Sequence, residues 1–346
     1  MLAIALCVAY LSNFINPAIT SFFAFFGLAY LPLVVANIFF IFFWLWKKNK
    51  LFLISIIAIG IGYTNLGRYF QIQLPKKNIT SKGIEVLSYN VRVFNYFEWE
   101  KQIPVRDSIL SYIKSKGPQI VCLQEFLTRD NREQLTERYI RYKLNDLPYT
   151  HIDYTYKSNT SRSHFGVATF SKHPIIRKGK IVFDNSVNSC IYSDILFQED
   201  TIRVYNVHLQ SISLKKGYYG SVDNVLRMNS DELNDAHRRL KKAFILRAEQ
   251  TKKVAQHMEN SPYPVILCGD FNDTPVSHTY QKLLGDKKDS FRESGNGIGN
   301  TYRGKFPSYR IDYIFHSKSF SSSNYKTGKI SLSDHYPVFC DLYLKR

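Results

Sequence analysis

The first 67 residues of the chain lack acidic side chains altogether, and their only basic residues are Lys47, Lys48 and Lys50. Residues 68–346 contain 43 basic residues and all 28 acidic ones, so their net charge of +15 accounts for most of the chain's +18. With 45% hydrophobic and 21% charged residues, the composition is not that of a disordered or low-complexity protein. The chain therefore divides into an apolar head, residues 1–67, and a polar, basic body. This division predicts a protein that is not purely soluble.

Cysteine is scarce as well: the five cysteines include no Cys-X-X-Cys pair, and no group of Cys and His has zinc-binding spacing. We therefore expect neither a disulfide scaffold nor a structural zinc site. Cys122 and Cys268 lie within apolar runs, and free cysteine is among the most buried residue types, so both are predicted to be core thiols. The sequence also lacks internal repeats.

The head contains a run of 25 residues without a charge, Phe22–Trp46. At about 1.5 Å per residue, a helix of this length crosses a hydrocarbon core of about 30 Å. Trp44 and Trp46, followed by lysines, are typical of a membrane interface. Leu51–Gly67 is a second, shorter candidate, and Met1–Ser12 is apolar but too short to span alone. We predict a transmembrane anchor with two clear hydrophobic helices and a short third at the N-terminus.

The lysines of the short hairpin between the two candidate spans favour a cytoplasmic position for that hairpin. The body then lies on the exterior, periplasmic side of the cytoplasmic (inner) membrane, as part of a multi-pass protein. Arg68, Lys76, Lys77 and Lys82, just behind the second span, argue for the opposite orientation, but the tight hairpin carries more weight. A signal peptide fits poorly, because a basic n-region is missing and the apolar stretch continues too far.

The body is predicted to begin with a polar linker, residues 68–83, followed by one α/β domain, residues 84–346. Short apolar strands alternate there with segments of helical periodicity. The predicted strands are 84–90, 119–125, 166–172, 194–198, 202–209, 264–270, 310–316 and 337–344. The predicted helices are 105–115, 130–142, 240–258 and 276–285. Near-continuous apolar strands indicate sheets that are covered on both faces.

A long polar passage, Ser211–Lys242, separates a predicted strand from a predicted helix. Connections of this length are often functional. Its basic residues suit an anionic substrate, anionic lipid headgroups or simply a solvated face. They are Lys215, Lys216, Arg238, Arg239, Lys241 and Lys242.

Polar side chains recur at the ends of the apolar strands. They are Asn90, Glu125, Asn206, His208, Asp270, Asn272, Asp312, Asp334 and His335. In open α/β sheets the rim at the carboxyl ends of strands is where ligands bind. Carboxylates, carboxamides and imidazoles gathered at one rim suit a hard divalent cation and a phosphate ester. Each residue alone is as readily a turn, surface or core residue, so the interpretation depends on the combination.

This ordered series resembles the endonuclease/exonuclease/phosphatase superfamily, the deoxyribonuclease-I-like metal-dependent phosphoesterases. The resemblance covers about residues 84–344, and every expected motif is present in order. It implies a four-layer sandwich, in which two stacked mixed β-sheets are flanked by helices. The head lies outside the resemblance and is similar to hydrophobic heads that some bacterial members carry.

The resemblance implies a metal site and identifies its ligands. Glu125 is similar to the principal Mg²⁺ ligand, and Asn90 and Asp334 match residues that bind the metal directly or through water. Mn²⁺ is expected to substitute for Mg²⁺.

The resemblance also implies catalytic roles. Asp270 is similar to the carboxylate that aligns and deprotonates the attacking water, and Asn272 to the residue that holds this carboxylate or a phosphate oxygen. His335 matches the histidine that contacts the scissile phosphate, as a base or as a charge stabiliser, and Asp312 matches its acidic partner. His208 matches the histidine that binds phosphate or protonates the leaving oxygen.

Arg247 shares one face of a predicted helix with Gln250, three residues later. It is a candidate for substrate binding through phosphate, with a surface pair on the helix as the alternative.

Three interpretations of the substrate follow. The basic body favours a phosphodiesterase that acts on nucleic acid, because lysine and arginine near phosphates release counterions. The apolar head favours an enzyme acting on a phospholipid or sphingomyelin, or a phosphate-ester phosphatase, with the bilayer bound through residues 1–67. A catalytically inactive binding module is the third interpretation, and it predicts the loss of a metal or catalytic residue, although none is missing. The sequence indicates no protein partner.

Overall fold

The computed structural model describes residues 1–73, 83–98, 105–130, 132, 135–158, 160, 162–184, 186–212, 229–303 and 309–345. Helices and strands are numbered in chain order. Those of the head are α1 (Leu2–Leu11), α2 (Phe22–Leu28), α3 (Tyr30–Trp46), α4 (Phe52–Ile61) and α5 (Tyr63–Leu66).

Among the described residues, no single helix is long and apolar enough to cross a membrane. The pair of α2 and α3 meets that length and composition when taken together, across a bend of 63°. The single helix predicted for Phe22–Trp46 is therefore two helices. The break at Ala29 has a physical reason in Pro32, which has no N–H to donate to the carbonyl of Leu28 and is tolerated in the first turn of a new helix.

The body has fourteen strands and five further helices within the described residues. In chain order they are β1 (Phe70–Gln71), β2 (Ile84–Asn90), α6 (Val105–Lys116), β3 (Ile120–Arg129), α7 (Glu137–Lys143), β4 (Tyr149–Ser158), β5 (Ser163–Ser171), β6 (Ile175–Ile181), β7 (Ser189–Phe197), β8 (Asp200–His208), α8 (Ser230–Glu259), β9 (Val265–Asp270), α9 (His278–Leu284), β10 (Lys288–Asp289), α10 (Ser290–Ser294), β11 (Gly297–Ile298), β12 (Asp312–His316), β13 (Phe320–Thr327) and β14 (Val338–Leu344). A 3₁₀ segment, Arg92–Glu98, follows β2.

Twelve of these strands form two six-stranded sheets. One has the order β13-β14-β2-β3-β5-β4, and the other has the order β10-β12-β9-β8-β7-β6. The central pairs β2–β3 and β8–β9 are parallel, and the neighbouring pairs are antiparallel. The prediction of an α/β fold with two mixed sheets is confirmed.

Three apolar clusters hold the layers of the body together. The first lies between the sheets and includes Val86, Cys122, Val204 and Cys268, so the two predicted core thiols are buried there. A second packs α6 and α7 on the outer face of the first sheet, and a third packs α8 and α9 on the outer face of the second. The result is the layered order of helix, sheet, sheet and helix.

The beginning of the predicted linker, residues 68–83, is packed against the body. Arg68 and Tyr69 are buried, and β1 pairs with β11. Residues 74–82, with the basic residues Lys76, Lys77 and Lys82, lie outside the described residues, as do Lys215 and Lys216 of the polar passage.

Candidate active site

The pairing of three strands brings the predicted catalytic residues together. The parallel pair β8–β9 places His208 opposite Asp270, and the antiparallel strand β12 places Asp312 opposite Asp270 from the other side. Asp312 is the first residue of its strand, so its position at the same rim follows from the reversed strand direction. Gly269 makes this close pairing feasible: a Cβ there would lie 1.9 Å from the carbonyl oxygen of Val207.

His335 and Asp312 form a buried pair. Nδ1 of His335 lies 2.9 Å from one carboxylate oxygen of Asp312 and 3.2 Å from the other. Burial alone would lower the pKa of His335, but the carboxylates of Asp312 and Asp270 outweigh burial and raise this pKa to about 10. The ring of Tyr302 packs edge-on against His335, with centroids 5.1 Å apart. His335 is therefore an oriented imidazolium at neutral pH.

Asp270 lies at the centre of the site. One oxygen of Asp270 accepts a hydrogen bond from the backbone N–H of Asn272 at 2.8 Å. The other accepts hydrogen bonds from the carboxamide nitrogens of Asn90 at 3.0 Å and of Asn272 at 3.2 Å. Nε2 of His335 lies 3.8 Å from the second oxygen. Burial raises the pKa of Asp270 to about 6, although the two histidines nearby oppose this rise. The carboxylate is thus held in place and able to accept a proton near neutral pH.

His208 faces the same centre from β8. Its Nε2 lies 3.8 Å from Asp270 and 3.8 Å from Glu125, beyond hydrogen-bond distance of both carboxylates. Within the described part of the chain this buried nitrogen has no hydrogen-bond partner. Burial lowers the pKa of His208 below its ordinary value, so the neutral form prevails at neutral pH. A buried nitrogen without a partner indicates a missing ligand at this point.

Glu125 is positioned by an irregularity in β3. The register of β3 against β5 shifts between Leu123 and Phe126, and Glu125 has a φ of 50°. A bulge of this kind re-aims a side chain next to a site. The carboxylate accepts the carboxamide of Asn90 at 3.1 Å, and burial raises the pKa of Glu125 above its ordinary value.

The predicted metal ligands divide into two kinds. Asn90 directs its nitrogen at Glu125 and Asp270, and its oxygen accepts the backbone N–H of Arg92 at 3.0 Å. In this arrangement Asn90 orients two carboxylates. The carboxylate of Asp334 accepts a hydrogen bond from the hydroxyl of Ser333 at 3.3 Å and lies 3.5 Å from the guanidinium of Arg92. The side chain of Asp334 is 30% exposed. Glu125 and Asp334 stay the predicted acidic metal ligands.

The charge balance of the site fits a divalent cation. Among the described residues, the carboxyl groups of Glu125, Asp270, Asp312 and Asp334 lie here with the imidazole of His335 and two guanidinium groups. Arg92 lies 3.5 Å from Asp334, and Arg303 donates to the carbonyl of Ser333 at 3.2 Å. Carboxylate oxygens gathered in this way suit a hard divalent cation, and a site of this kind must offset its acidic groups before an anion can bind. Asp270, Asp312 and His335 also lie close enough together to ligate an ion. Nδ1 of His335 faces Asp312, so a metal at this group would compete with that pair, and Glu125 stays the predicted principal ligand.

Arg247 lies beside the site rather than on the surface of its helix. The side chain is fully buried, its Nε donates to the carbonyl of Gln210 at 3.0 Å, and its Nη1 lies 3.1 Å from Asp273. Gln250 accepts the backbone N–H of Gln210 at 2.8 Å. The alternative of a surface pair on α8 is therefore wrong. Both residues hold the segment that follows His208, and substrate binding by Arg247 stays a prediction.

Asn206 does not belong to the rim group. It is fully buried between the sheets, where it accepts Gln124 at 2.7 Å and donates to the carbonyl of Ala168 at 3.0 Å. The alternation of β8 explains this placement, because Asn206 and His208 point to the same face but at different depths.

Two hydroxyl residues complete the site and have no signal of their own in the sequence. Ser333 donates to the carbonyl of Asn90 at 2.8 Å and accepts the backbone N–H of His335 at 3.2 Å. Thr301 accepts the backbone N–H of Asp312 at 3.0 Å. These contacts connect the segments that carry Asn90, Asp312 and His335.

Two family models match the chain. That of the Endonuclease/Exonuclease/phosphatase family matches residues 87–335, which include all the predicted site residues. A domain of unknown function matches residues 1–69. No curated protein matches the chain.

Several solved structures share the fold. An endonuclease/exonuclease/phosphatase from Beutenbergia cavernae is 17% identical with a TM-score of 0.56, covering 77% of this chain and 72% of its own. The mannosyl-6-phosphatase of Bacteroides thetaiotaomicron is 17% identical with a TM-score of 0.52, covering 75% of this chain and 100% of its own. Danio rerio TDP2 in complex with a single-strand DNA product is 16% identical with a TM-score of 0.51, covering 76% of this chain and 100% of its own.

Proposed function

Because the chain belongs to the endonuclease/exonuclease/phosphatase family of hydrolytic phosphoesterases, we propose that it is a Mg²⁺-dependent phosphodiesterase anchored in a membrane by its head. The observation that carries the proposal is the convergence of Glu125, His208, Asp270, Asp312 and His335 from separate segments on one rim.

Asp270 is proposed to align the attacking water and accept its proton. Its carboxylate is fixed by Asn272 and Asn90, and a pKa of about 6 leaves it mostly ionised at pH 7. Precise positioning of a nucleophile accounts for a large part of enzymatic acceleration. Asn272 is also close enough to the carboxylate to hold a phosphate oxygen beside it.

His335 is proposed to stabilise charge rather than to act as the base. A base must be unprotonated, whereas a pKa of about 10 keeps this imidazole protonated at neutral pH. The imidazolium therefore neutralises negative charge on the phosphoryl oxygens as the water attacks, and Asp312 keeps it oriented. Neutral His208 is suited to donate a hydrogen bond to the phosphate or to the leaving oxygen.

Glu125 would hold the metal, with Asp334 beside it and Asn90 orienting the carboxylate. The bound Mg²⁺ supplies Lewis-acid neutralisation of the phosphoryl and leaving oxygens. Mn²⁺ is expected to replace it, since both prefer oxygen ligands.

The substrate has two candidates. Nucleic acid is supported by the net charge of +15 of residues 68–346. A phosphodiester of a membrane lipid is supported by the packing of the head on the loop that follows Asp270, where Ser12 donates to the carbonyl of Val276 and Arg68 to that of Pro275. The inactive binding module predicts that a site residue is missing, and all nine predicted residues are present.

The test is hydrolysis of bis(4-nitrophenyl) phosphate by the full chain in detergent, with Mg²⁺ and with chelator. Asp270→Asn should lower kcat by about 10³-fold, because the water loses both its orientation and its base. Asp146→Asn is the matched control, because Asp146 is an exposed surface residue 3.5 Å from Lys114. Near-normal kcat in folded Asp270→Asn, or turnover independent of metal, would overturn the proposal.

A further inference from the structure

The head is docked on the loop that follows Asp270. Ser12 donates to the carbonyl of Val276 at 2.9 Å, and Arg68 donates to the carbonyl of Pro275 at 2.8 Å and to Gln281 at 2.8 Å. At Gly27 of α2, a Cβ would lie 2.4 Å from the same Val276 carbonyl. The contact is thus both close and hydrogen-bonded, unlike that of a loose tether.

The same contact reaches the strand that carries Asp312. Nη1 of Arg310, two residues before Asp312, donates to the carbonyl of Arg68 at 2.9 Å. Tyr313, one residue after Asp312, donates to the carbonyl of Asp273 at 2.9 Å. Arg68 therefore lies between the head and two segments that position catalytic carboxylates.

A third contact lies on the long helix α8. Phe25 of the head stacks on His237 with centroids 4.6 Å apart and meets Phe244 edge-on at 5.2 Å. Phe244 lies one turn before Arg247, which pairs with Asp273 beside the site. The part of α8 before Arg247 has 17 residues and extends about 25 Å past this point, along the head.

The apolar surface of the head begins next to these contacts. Phe14, Ile19 and Phe22 are 72%, 82% and 56% exposed, and each lies within seven residues of Ser12 or Phe25. The exposed apolar face continues along α3 to Trp46. Large exposed apolar patches of this kind mark interaction sites for a membrane or for another protein, and the run without a charge, Phe22–Trp46, favours the membrane. The loop that follows Asp270 is therefore packed against the head, close in sequence to where the exposed apolar face of the head begins.

We propose that the docked head holds the catalytic rim at the bilayer surface, and that the substrate is a phosphodiester carried by a membrane lipid. The inference rests on the proposed function. Lys241 and Lys242, exposed on the part of α8 beside the head, would meet the anionic headgroups around the substrate.

The experiment uses the full chain reconstituted in phosphatidylcholine vesicles that contain phosphatidylglycerol as the anionic lipid. Two diesters with the same leaving group are compared: methyl 4-nitrophenyl phosphate in solution and hexadecyl 4-nitrophenyl phosphate in the bilayer. We expect kcat/KM to be at least about tenfold higher for the hexadecyl diester, because rim and substrate share one surface. Equal values, or faster turnover of a single-stranded DNA oligonucleotide, would overturn the inference while leaving the phosphodiesterase intact. No hydrolysis of any of the three substrates would overturn both the inference and the proposed phosphodiesterase function.

Docking is tested separately from simple tethering. Arg68→Gln keeps the apolar anchor but removes the contacts to Pro275 and Gln281. The ratio of kcat/KM for the hexadecyl diester to kcat/KM for the methyl diester should therefore fall towards one. Arg141→Gln is the matched control, since this exposed arginine pairs with Glu137, and its ratio should not change. A Lys241→Gln/Lys242→Gln variant alters only exposed side chains and should slow the hexadecyl diester alone. An unchanged ratio in both test variants would contradict the docking.

Discussion

Replacing Asp312 by asparagine tests the assigned role of the imidazolium. In the wild type, Asp312 and Asp270 outweigh burial and raise the pKa of His335 from 6.5 to about 10. Each pKa unit corresponds to about 1.4 kcal/mol, so the surroundings favour the protonated ring by roughly 5 kcal/mol. If the nearer carboxylate supplies about half of this, Asp312→Asn loses ~2 kcal/mol of that preference and lowers the pKa of His335 by roughly 1.5 units. The loss in kcat should therefore be small near pH 7 and approach about 30-fold only above pH 10, where the wild type retains far more imidazolium than the variant.

The pH profile distinguishes this loss from a general defect. Activity that needs the imidazolium should decline only as the pH approaches 10 in the wild type, and at a clearly lower pH in Asp312→Asn. The assay is kcat/KM for bis(4-nitrophenyl) phosphate from pH 5 to about pH 10.5 at saturating Mg²⁺, with circular dichroism as the fold check. An alkaline limb at the same pH in both proteins would refute the reasoning, even if the variant were slower.

The same pKa makes a prediction for stability. A pKa that is higher in the folded state than in the unfolded state stabilises the fold fully below pH 6.5, and this contribution is lost as the pH rises through 10. The free energy of unfolding of the wild type should therefore fall across that window, and the fall should be smaller in Asp312→Asn. Urea unfolding at three pH values measures it.

Three further changes have expected outcomes. Glu125→Gln should weaken the apparent Mg²⁺ affinity by about 10- to 100-fold in a metal titration of activity, and an unchanged affinity would move the metal elsewhere. In the wild type, the guanidinium of Arg310 donates to the buried carboxylate of Asp289 at 2.7 Å. Arg310→Met leaves this carboxylate without its partner and should lower the free energy of unfolding in urea by about 3–5 kcal/mol. Gly269→Ala places a Cβ 1.9 Å from the carbonyl of Val207 and should destabilise the fold by at least about 3 kcal/mol, whereas wild-type stability would show that β8 and β9 separate easily.

The rim was predictable because its residues follow buried apolar strands. Asn90, His208 and Asp270 each end a strand whose other residues are almost all buried, so position along the strand fixed position in space. Asp312 belongs to the same predicted series, and its role as the partner of His335 comes from the resemblance. The antiparallel register of β12 explains why a residue at the start of a strand reaches the same rim.

The strands missed by the sequence analysis are those at sheet edges. β4, β6 and β13 each end a sheet and carry exposed polar side chains, so their apolar periodicity is weak. The break between α2 and α3 was missed for a different reason: the composition of the run is uniformly apolar, and the break depends on one missing N–H at Pro32.

Buried polar residues were the hardest to place. The sequence predicts Arg247 and Gln250 as an exposed pair on a helix. Both instead bind the main chain of Gln210, and no pattern of side chains in the sequence reveals a main-chain partner. The sequence also predicts Asn206 as a rim residue, whereas its hydrogen-bond partners, Gln124 and Ala168, lie on the facing sheet.

Hydrolysis in H₂¹⁸O under single-turnover conditions tests the central claim most directly, since Asp270 is proposed to direct water itself at phosphorus. With Mg²⁺ and bis(4-nitrophenyl) phosphate, the phosphate monoester released by the full chain should contain one ¹⁸O, and Asp270→Asn should form almost none in the same time. A first-turnover phosphate monoester without ¹⁸O, released together with unlabelled 4-nitrophenol, would show that a protein oxygen attacked phosphorus. That result, or equal ¹⁸O incorporation without metal, would contradict the account.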